Sequence, residues 1–260
     1  MVVVFFLPAK LQILCDIAKP SVGPWQVFCT FAVMKRNYEI IVAAGSGSRY
    51  GGTLPKQFCD LAGRPLLMTT VERMRECDPG AEIILVLSAE MIPVWREMCE
   101  SQGFESPRLI ACGGATRAES VRNAMTLVNV PDARRVGVHD GARPVITREL
   151  VKRLDEAIDN GADGAIPAVA VTDSLRRVNA DGSSVAVDRS QFRAVQTPQF
   201  FRADLLAEAY AKGFTPSATD DASLMEAAGF TDLRLVQGSP HNIKVTNPGD
   251  IAIAEIYLAD

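Results

Sequence analysis

The sequence predicts an α/β protein built on a doubly wound, mainly parallel sheet. Three observations carry that expectation. From Tyr38 onward, short apolar β-branched runs alternate with segments of helical period. A glycine-rich loop, Ala43-Ala44-Gly45-Ser46-Gly47-Ser48-Arg49-Tyr50-Gly51-Gly52, follows the first of these runs at once. The alternation then breaks at Val171, where a polar hairpin pattern takes over.

Each element follows from its own pattern. Residues 38–42, Tyr-Glu-Ile-Ile-Val, read as a buried parallel strand. Residues 65–75 read as a helix, with Leu66, Leu67, Thr70, Val71 and Met74 at helical spacing. A strand over 82–87 precedes a helix over 89–102 that Gly103 is placed to end. A short strand over 109–111 runs into Gly113-Gly114, and a helix over 117–128 follows. Residues 135–139 form the next strand, Thr147 caps a helix reaching Asn160, and residues 164–170 return to the sheet. In such a sheet ligands bind beyond the carboxyl ends of the strands, so the loops after Val42, Ala111 and His139 are expected to face one crevice.

Residues 174–178 and 185–189 read as a hairpin around an Asp181-Gly182 turn. Rich in polar residues, it buries no core of its own. An arm over about 171–191 that packs on a second copy of the chain is therefore expected, with a solvated lid as the competing reading. After Phe192 the chain rejoins the sheet, adds helices over 202–212 and 222–228 and a strand over 233–237, and closes with a helix from Pro248.

Length and composition bound the function. At 260 residues the chain buries a substantial core, and its net charge of −4 offers no general basic field to attract nucleic acid, so any anion site is local. The cysteines, Cys15, Cys29, Cys59, Cys77, Cys99 and Cys112, contain no C-x-x-C pair and read as reduced core thiols of a cytoplasmic protein. With His139 and His241 the only histidines, a Cys/His metal site is not expected. The apolar runs over 1–7 and 27–34 fall short of the ~20 residues of a membrane span, and no basic stretch precedes the first, so neither a span nor a signal peptide is expected. Residues 1–33 read as an extension outside the fold, which would open at Met34 and fill residues 34–260.

The chemistry concentrates in the loops. Small residues after a strand let backbone N–H groups approach a phosphate closely, and Arg49 and Lys56 add two positive charges. The loop lacks the Gly-Lys-Ser/Thr ending of a Walker A site, and its spacing Gly45, Gly47, Gly51 is one residue too long for G-x-G-x-x-G. An ordinary glycine-rich turn with solvated cations is the competing reading of the loop alone. His139-Asp140-Gly141-Ala142-Arg143-Pro144 sets a base and an acid at a strand's carboxyl end. There Asp140 either orients a substrate hydroxyl, holds a metal through water, or only caps the turn. Gly113-Gly114-Ala115-Thr116-Arg117-Ala118-Glu119-Ser120-Val121 suits recognition of a base edge or phosphate, and also reads as a capping box with Thr116 as cap and Glu119 as its partner.

Taken together these segments resemble the 2-C-methyl-D-erythritol 4-phosphate cytidylyltransferases. The matching residues include Ala43-Ala44-Gly45-x-Gly47-x-Arg49 with Pro55-Lys56-Gln57-Phe58, Gly113-Gly114-x-x-Arg117-x-x-Ser120-Val121 and His139-Asp140-x-Ala142-Arg143-Pro144. Val187-Asp188-Arg189, Thr197-Pro198-Gln199-x-Phe201, Thr219-Asp220-Asp221-Ala222-Ser223-Leu224 and Asn242-Ile243-Lys244-Val245-Thr246 follow in the family's order. The resemblance covers about residues 38–258 and implies a Rossmann-like nucleotidyltransferase fold. It implies Mg²⁺-dependent transfer of CMP from CTP to methylerythritol phosphate, the ion held mainly by the CTP phosphates rather than by protein ligands.

Carried over residue by residue, the resemblance makes Arg49, Lys56 and Lys244 catalytic cations. It places Ala43, Ala44, Gly45, Gly47, Gly114 and Ser120 around the nucleotide, and Asp140, Arg143, Ser174, Arg189 and Thr197 on the sugar phosphate. It also implies a homodimer in which the arm's Arg189 reaches the neighbouring site. Three positions depart from the family's usual pattern: Gly141 for Ala, adding freedom beside Asp140; Ser174 for Thr; and Tyr50 for Met. A ribitol-phosphate cytidylyltransferase is the nearest rival, disfavoured by Ala142 and Asp221. A nucleotide-binding protein without turnover is the rival of another class, disfavoured by three cations where binding alone needs fewer.

Overall fold

The computed structural model describes residues 35–45, 55–213 and 219–259, all of them in one compact unit spanning Lys35–Asp260. The extension expected over residues 1–33 lies outside the described residues. Strand β1 (Arg36–Val42) leads, past a small hairpin of β2 (Asp60–Leu61) and β3 (Arg64–Pro65), into helix α1 (Leu66–Cys77). Then come β4 (Ala81–Leu87), α2 (Met91–Gln102), β5 (Leu109–Cys112), α3 (Arg117–Met125), β6 (Ala133–Asp140), α4 (Arg148–Asp159) and β7 (Gly164–Ala170). The arm is β8 (Leu175–Val178) and β9 (Ser184–Val187). The chain closes with β10 (Arg193–Val195), β11 (Gln199–Arg202), α5 (Ala203–Lys212), α6 (Asp221–Ala227), β12 (Leu233–Gln237) and α7 (Gly249–Ala259).

The central sheet runs β7-β11-β6-β1-β4-β5, with β10 and β12 also paired to β7. β1, β4, β5 and β6 are parallel, as is β12 to β7, whereas β10 and β11 run antiparallel along successive stretches of β7. Only a return to the sheet was legible for these last two strands, because Arg-Ala-Val and Gln-Phe-Phe-Arg are too short to show a period. Helix α2 starts two residues later than expected. A start at Ala89 would need a backbone donor at Pro93, which has none.

Successive strand residues bury opposite faces. Ile40, Ile84, Val86, Val138 and Phe201 pack with α3 and α5 on one side, and Ile41, Leu85 and Phe200 with α1, α2 and α4 on the other. A smaller cluster of Leu61, Leu66, Val145, Val245 and Ala254 anchors α7. Among the cysteines within the described residues only Cys99 is buried; Cys59 and Cys77 are half-buried and Cys112 is exposed, so core burial holds for Cys99 alone.

Register brings the loops together. Val42 stands opposite Asp140 on one side and Val86 on the other, and Leu87 opposite Cys112. Each ladder then extends by one residue: Ala43 N donates to Val86 O (2.9 Å), Gly113 N to Leu87 O (2.8 Å) and Gly141 N to Val42 O (2.9 Å). The loops after β1, β5 and β6 therefore leave the sheet side by side at one edge.

Candidate active site

At that edge lies a cavity of about 540 Å³. Ala43, Ala44 and Gly45 line it from the first loop, and Gly114, Thr116, Arg117 and Ser120 from the second. Asp140 and Ala142 enter from the third, Lys56 and Gln57 from the turn before β2, and Lys244 and Thr246 from the segment before α7. Gly47 and Arg49 lie outside the described residues. Arg143, Thr197, Ser174 and Arg189 are not among the lining residues.

Local chemistry builds each wall. The buried Gln57 amide donates to Ala43 O (2.6 Å) and Gly45 O (2.9 Å), holding the start of the glycine loop. A Cβ on Gly113 would overlap Ala44 Cβ, and one on Gly114 would overlap Glu119 Cβ, so this turn admits only glycine. The capping box is present: Thr116 Oγ1 accepts from Glu119 N (3.1 Å) and Glu119 Oε2 from Thr116 N (3.2 Å). Ser120 Oγ accepts from Gly114 N (3.0 Å) and donates to Thr116 O (2.9 Å), so its hydroxyl proton already serves the turn.

Asp140 is the electrostatic hub. Lys244 Nζ lies 2.8 Å from its Oδ2, Arg143 Nε 3.6 Å from the same oxygen, and Arg117 Nε 3.5 Å from Oδ1. Burial by itself would raise this carboxyl, but Arg117, Lys244 and Arg143 outweigh it and hold it well below the usual carboxylate range. Arg143 is oriented by donation from Nη1 to Asn242 O (2.8 Å). Lys56 Nζ donates to Val245 O (2.7 Å), beside Lys244, and Asp250 accepts Thr246 N (2.7 Å), fixing this segment at the start of α7.

Under this hub a neutral histidine sets the strand end. His139 is fully buried, and burial pushes its pKa down to about 4. Its Nε2 lies 2.9 Å from Arg143 O, which only accepts, so Nε2 carries the proton. The Nδ1 lone pair then receives the Thr197 hydroxyl (3.1 Å), whose oxygen accepts from Asp140 N (3.0 Å). Thr197 is buried with its hydroxyl committed beneath Asp140. Gly141, expected to add freedom, is tightly packed instead: a Cβ there would stand 3.0 Å from Ala43 Cβ and Leu67 Cδ1 and 3.1 Å from Val42 O. On the arm, Ser174 is exposed, and Arg189 donates from Nη1 to Thr172 O.

Gln57 and Arg117 stood inside the quoted motifs without a role. The signal for Gln57 was its place beside Lys56, and for Arg117 its place at the first position of a capped helix.

A cleft at the carboxyl edge of a parallel sheet, floored by small residues and rimmed by Lys56, Lys244 and Arg117, defines an α/β nucleotidyltransferase. Comparison with known proteins agrees. The family model of 2-C-methyl-D-erythritol 4-phosphate cytidylyltransferase (IspD) matches residues 38–260. The chain is 45% identical over 220 residues to the enzyme of that name from Bacteroides fragilis, covering 84% of this chain and 98% of the relative. It is 44% identical over 219 residues to the one from Bacteroides thetaiotaomicron, again covering 84% and 98%. The crystal structure of 4-diphosphocytidyl-2C-methyl-D-erythritol synthase from Anaerococcus prevotii superposes with a TM-score of 0.72 at 27% identity, covering 87% of this chain and 99% of that one. The chain belongs to the 2-C-methyl-D-erythritol 4-phosphate cytidylyltransferase family.

Proposed function

We infer that this chain transfers CMP from CTP to 2-C-methyl-D-erythritol 4-phosphate, giving 4-diphosphocytidyl-2-C-methyl-D-erythritol and pyrophosphate on the way to isoprenoid precursors. One observation carries the reading beside family membership: a single cavity gathers the glycine turns, Lys56, Asp140 and Lys244 from segments far apart in sequence. An acceptor phosphate oxygen attacks the α-phosphorus of CTP. The bond to the β-phosphate oxygen breaks, and its electron pair leaves with pyrophosphate. Lys56 and Lys244, with Arg49, meet the charge that spreads over the phosphoryl oxygens. Asp140, ionised and held by Arg117 and Arg143, accepts from an acceptor hydroxyl. Ala43, Ala44, Gly45 and Gly114, with Ser120 supporting the turn, leave room for a pyrimidine and little for a purine.

The donor set suits a magnesium ion that arrives on the triphosphate. Among the described residues no cluster of three or more acidic, histidine or cysteine side chains stands ready for a metal. The carboxylate lining the cavity, Asp140, is already matched to cations. Such an ion supplies charge neutralisation to the triphosphate.

A homodimer through the arm accompanies this reading. Val178 and Val185 on the hairpin and Phe192 beyond it are exposed at 70%, 43% and 44%, apolar area that a second copy would cover. The catalytic unit is residues 34–260. Among the described residues no helix is long and apolar enough to cross a membrane.

The deciding measurement is pyrophosphate release with each of four nucleotides and methylerythritol phosphate. CTP is expected to exceed UTP, and both to exceed ATP and GTP, because a wrong base leaves the pocket's polar groups unpaired. Equal use of ATP, or release that does not depend on methylerythritol phosphate, would overturn the assignment.

A further inference from the structure

Arg117, the first residue of α3, joins the nucleotide wall of the cavity to two helices behind it. Its Nη1 donates to Asp221 Oδ2 at 2.6 Å, and its Nε faces Asp140 Oδ1 at 3.5 Å. Asp221, the first residue of α6, is 1% exposed, and its Oδ1 accepts the Tyr210 hydroxyl of α5 at 2.6 Å. Arg117 thus meets one Asp221 oxygen and Tyr210 the other, which pins the guanidinium from behind. A tie between α3 and α6 alone would need only the Arg117–Asp221 pair. Here the guanidinium also presents Nε to the Asp140 carboxylate, while its Nη2 is shielded from solvent and has no hydrogen-bond partner among the described residues. A guanidinium with an unmade donor is costly to keep unless its place serves the site.

We propose that Tyr210, Asp221 and Arg117 form a relay that positions Asp140 for the acceptor. Arg117 engages Oδ1 while Lys244 engages Oδ2, so the carboxylate is clamped from both sides and cannot rotate away. The relay acts through Asp140 and none of its members is assigned to the reacting atoms. It rests on the reading that Asp140 serves the acceptor rather than CTP.

Steady-state kinetics of the full chain test it, with Asp140→Asn as the reference. Asp221→Asn is expected to raise the acceptor KM about tenfold while the KM for CTP stays within about twofold. Tyr210→Phe, which removes only the far hydroxyl and leaves the packing, is expected to raise the acceptor KM about threefold. Combined with Asp140→Asn, Asp221→Asn is expected to add less than about twofold, since both act through one carboxylate. Should Asp140→Asn weaken the acceptor while Asp221→Asn and Tyr210→Phe only lower the melting temperature or move both KM values alike, the tie is structural and the relay is overturned. Should Asp140→Asn itself leave the acceptor KM unchanged, the underlying reading of Asp140 fails and the relay with it.

Discussion

Lys56 is held in place before any substrate arrives, by its bond to Val245 O. A pre-placed cation acts mainly on the charge that develops in the transition state. Lys56→Ala is therefore expected to lower kcat by about 10²–10³ with a normally folded protein, an effect of roughly 3–4 kcal/mol. A kcat within about fivefold of the unchanged chain would remove Lys56 from the chemistry. His139 predicts a pH effect of definite sign. Its folded pKa, about 4, lies below its ordinary value of 6.5. The unfolded chain then takes up a proton that the folded chain refuses, so stability is full above pH 6.5 and falls as pH drops toward 4, by at most about 1.4 kcal/mol per pH unit. Thermal melts across this range are expected to show a shallower acid limb in His139→Asn.

Between elements, a buried cluster around Arg135 lies upstream of the site. Arg135 of β6 is fully buried beneath the Phe200 ring, 3.6 Å from its centroid. Its Nη1 meets Glu39 Oε1 of β1 at 2.6 Å, its Nη2 meets Asp78 after α1, and its Nε meets Asp155 Oδ1 of α4 at 2.6 Å. Gly137 leaves room for the Glu39 carboxyl, which a Cβ there would overlap. Burial, with Asp78 and Asp155 adding to it, outweighs Arg135 and pushes Glu39 up to about 8. Here the folded chain keeps a proton that the unfolded chain loses above about 4.5. Its contribution is therefore full at low pH and fades as pH rises through about 8, opposite in sign to His139. Melts from pH 5 to pH 9 are expected to show a decline that Glu39→Gln flattens. An unchanged slope in that variant would place the linked proton elsewhere. The sequence showed β1 and β6 as apolar strands but did not pair Glu39 with Arg135, because 96 residues separate them and no local period links them.

For the molecule as a whole, the arm and the first segment make separate predictions. Among the described residues of one chain neither Ser174 nor Arg189 lines the cavity, and the proposed dimer is the arrangement that would bring Arg189 to a neighbouring site. Arg189→Ala is expected to impair use of the acceptor more than use of CTP. Mixing it with Lys56→Ala is expected to restore part of the activity, because one site of a mixed dimer regains both groups. Activity that never exceeds either parent would show that the arm does not act across subunits. A chain starting at Met34 is expected to keep full activity and its melting temperature. A large fall in that temperature would make residues 1–33 part of the folded unit.

By itself, the sequence determined the α/β alternation, the edge at which the loops gather, the capping box at Thr116 and the hairpin after Val171. These depend on period, turn chemistry and strand order, which are local properties of the chain. Tertiary structure alone decided that Gln57 carries the glycine loop and that Thr197 lies beneath Asp140 rather than in the cavity wall. It decided too that Gly141 is packed tight, that Lys244 and Arg117 converge on the Asp140 carboxylate, and that Asp221 holds Arg117 from behind. Those outcomes are set by distance and burial between residues far apart in the chain. A charge or a hydroxyl acquires its partner, its protonation state and its role only when folding brings them within a few ångströms.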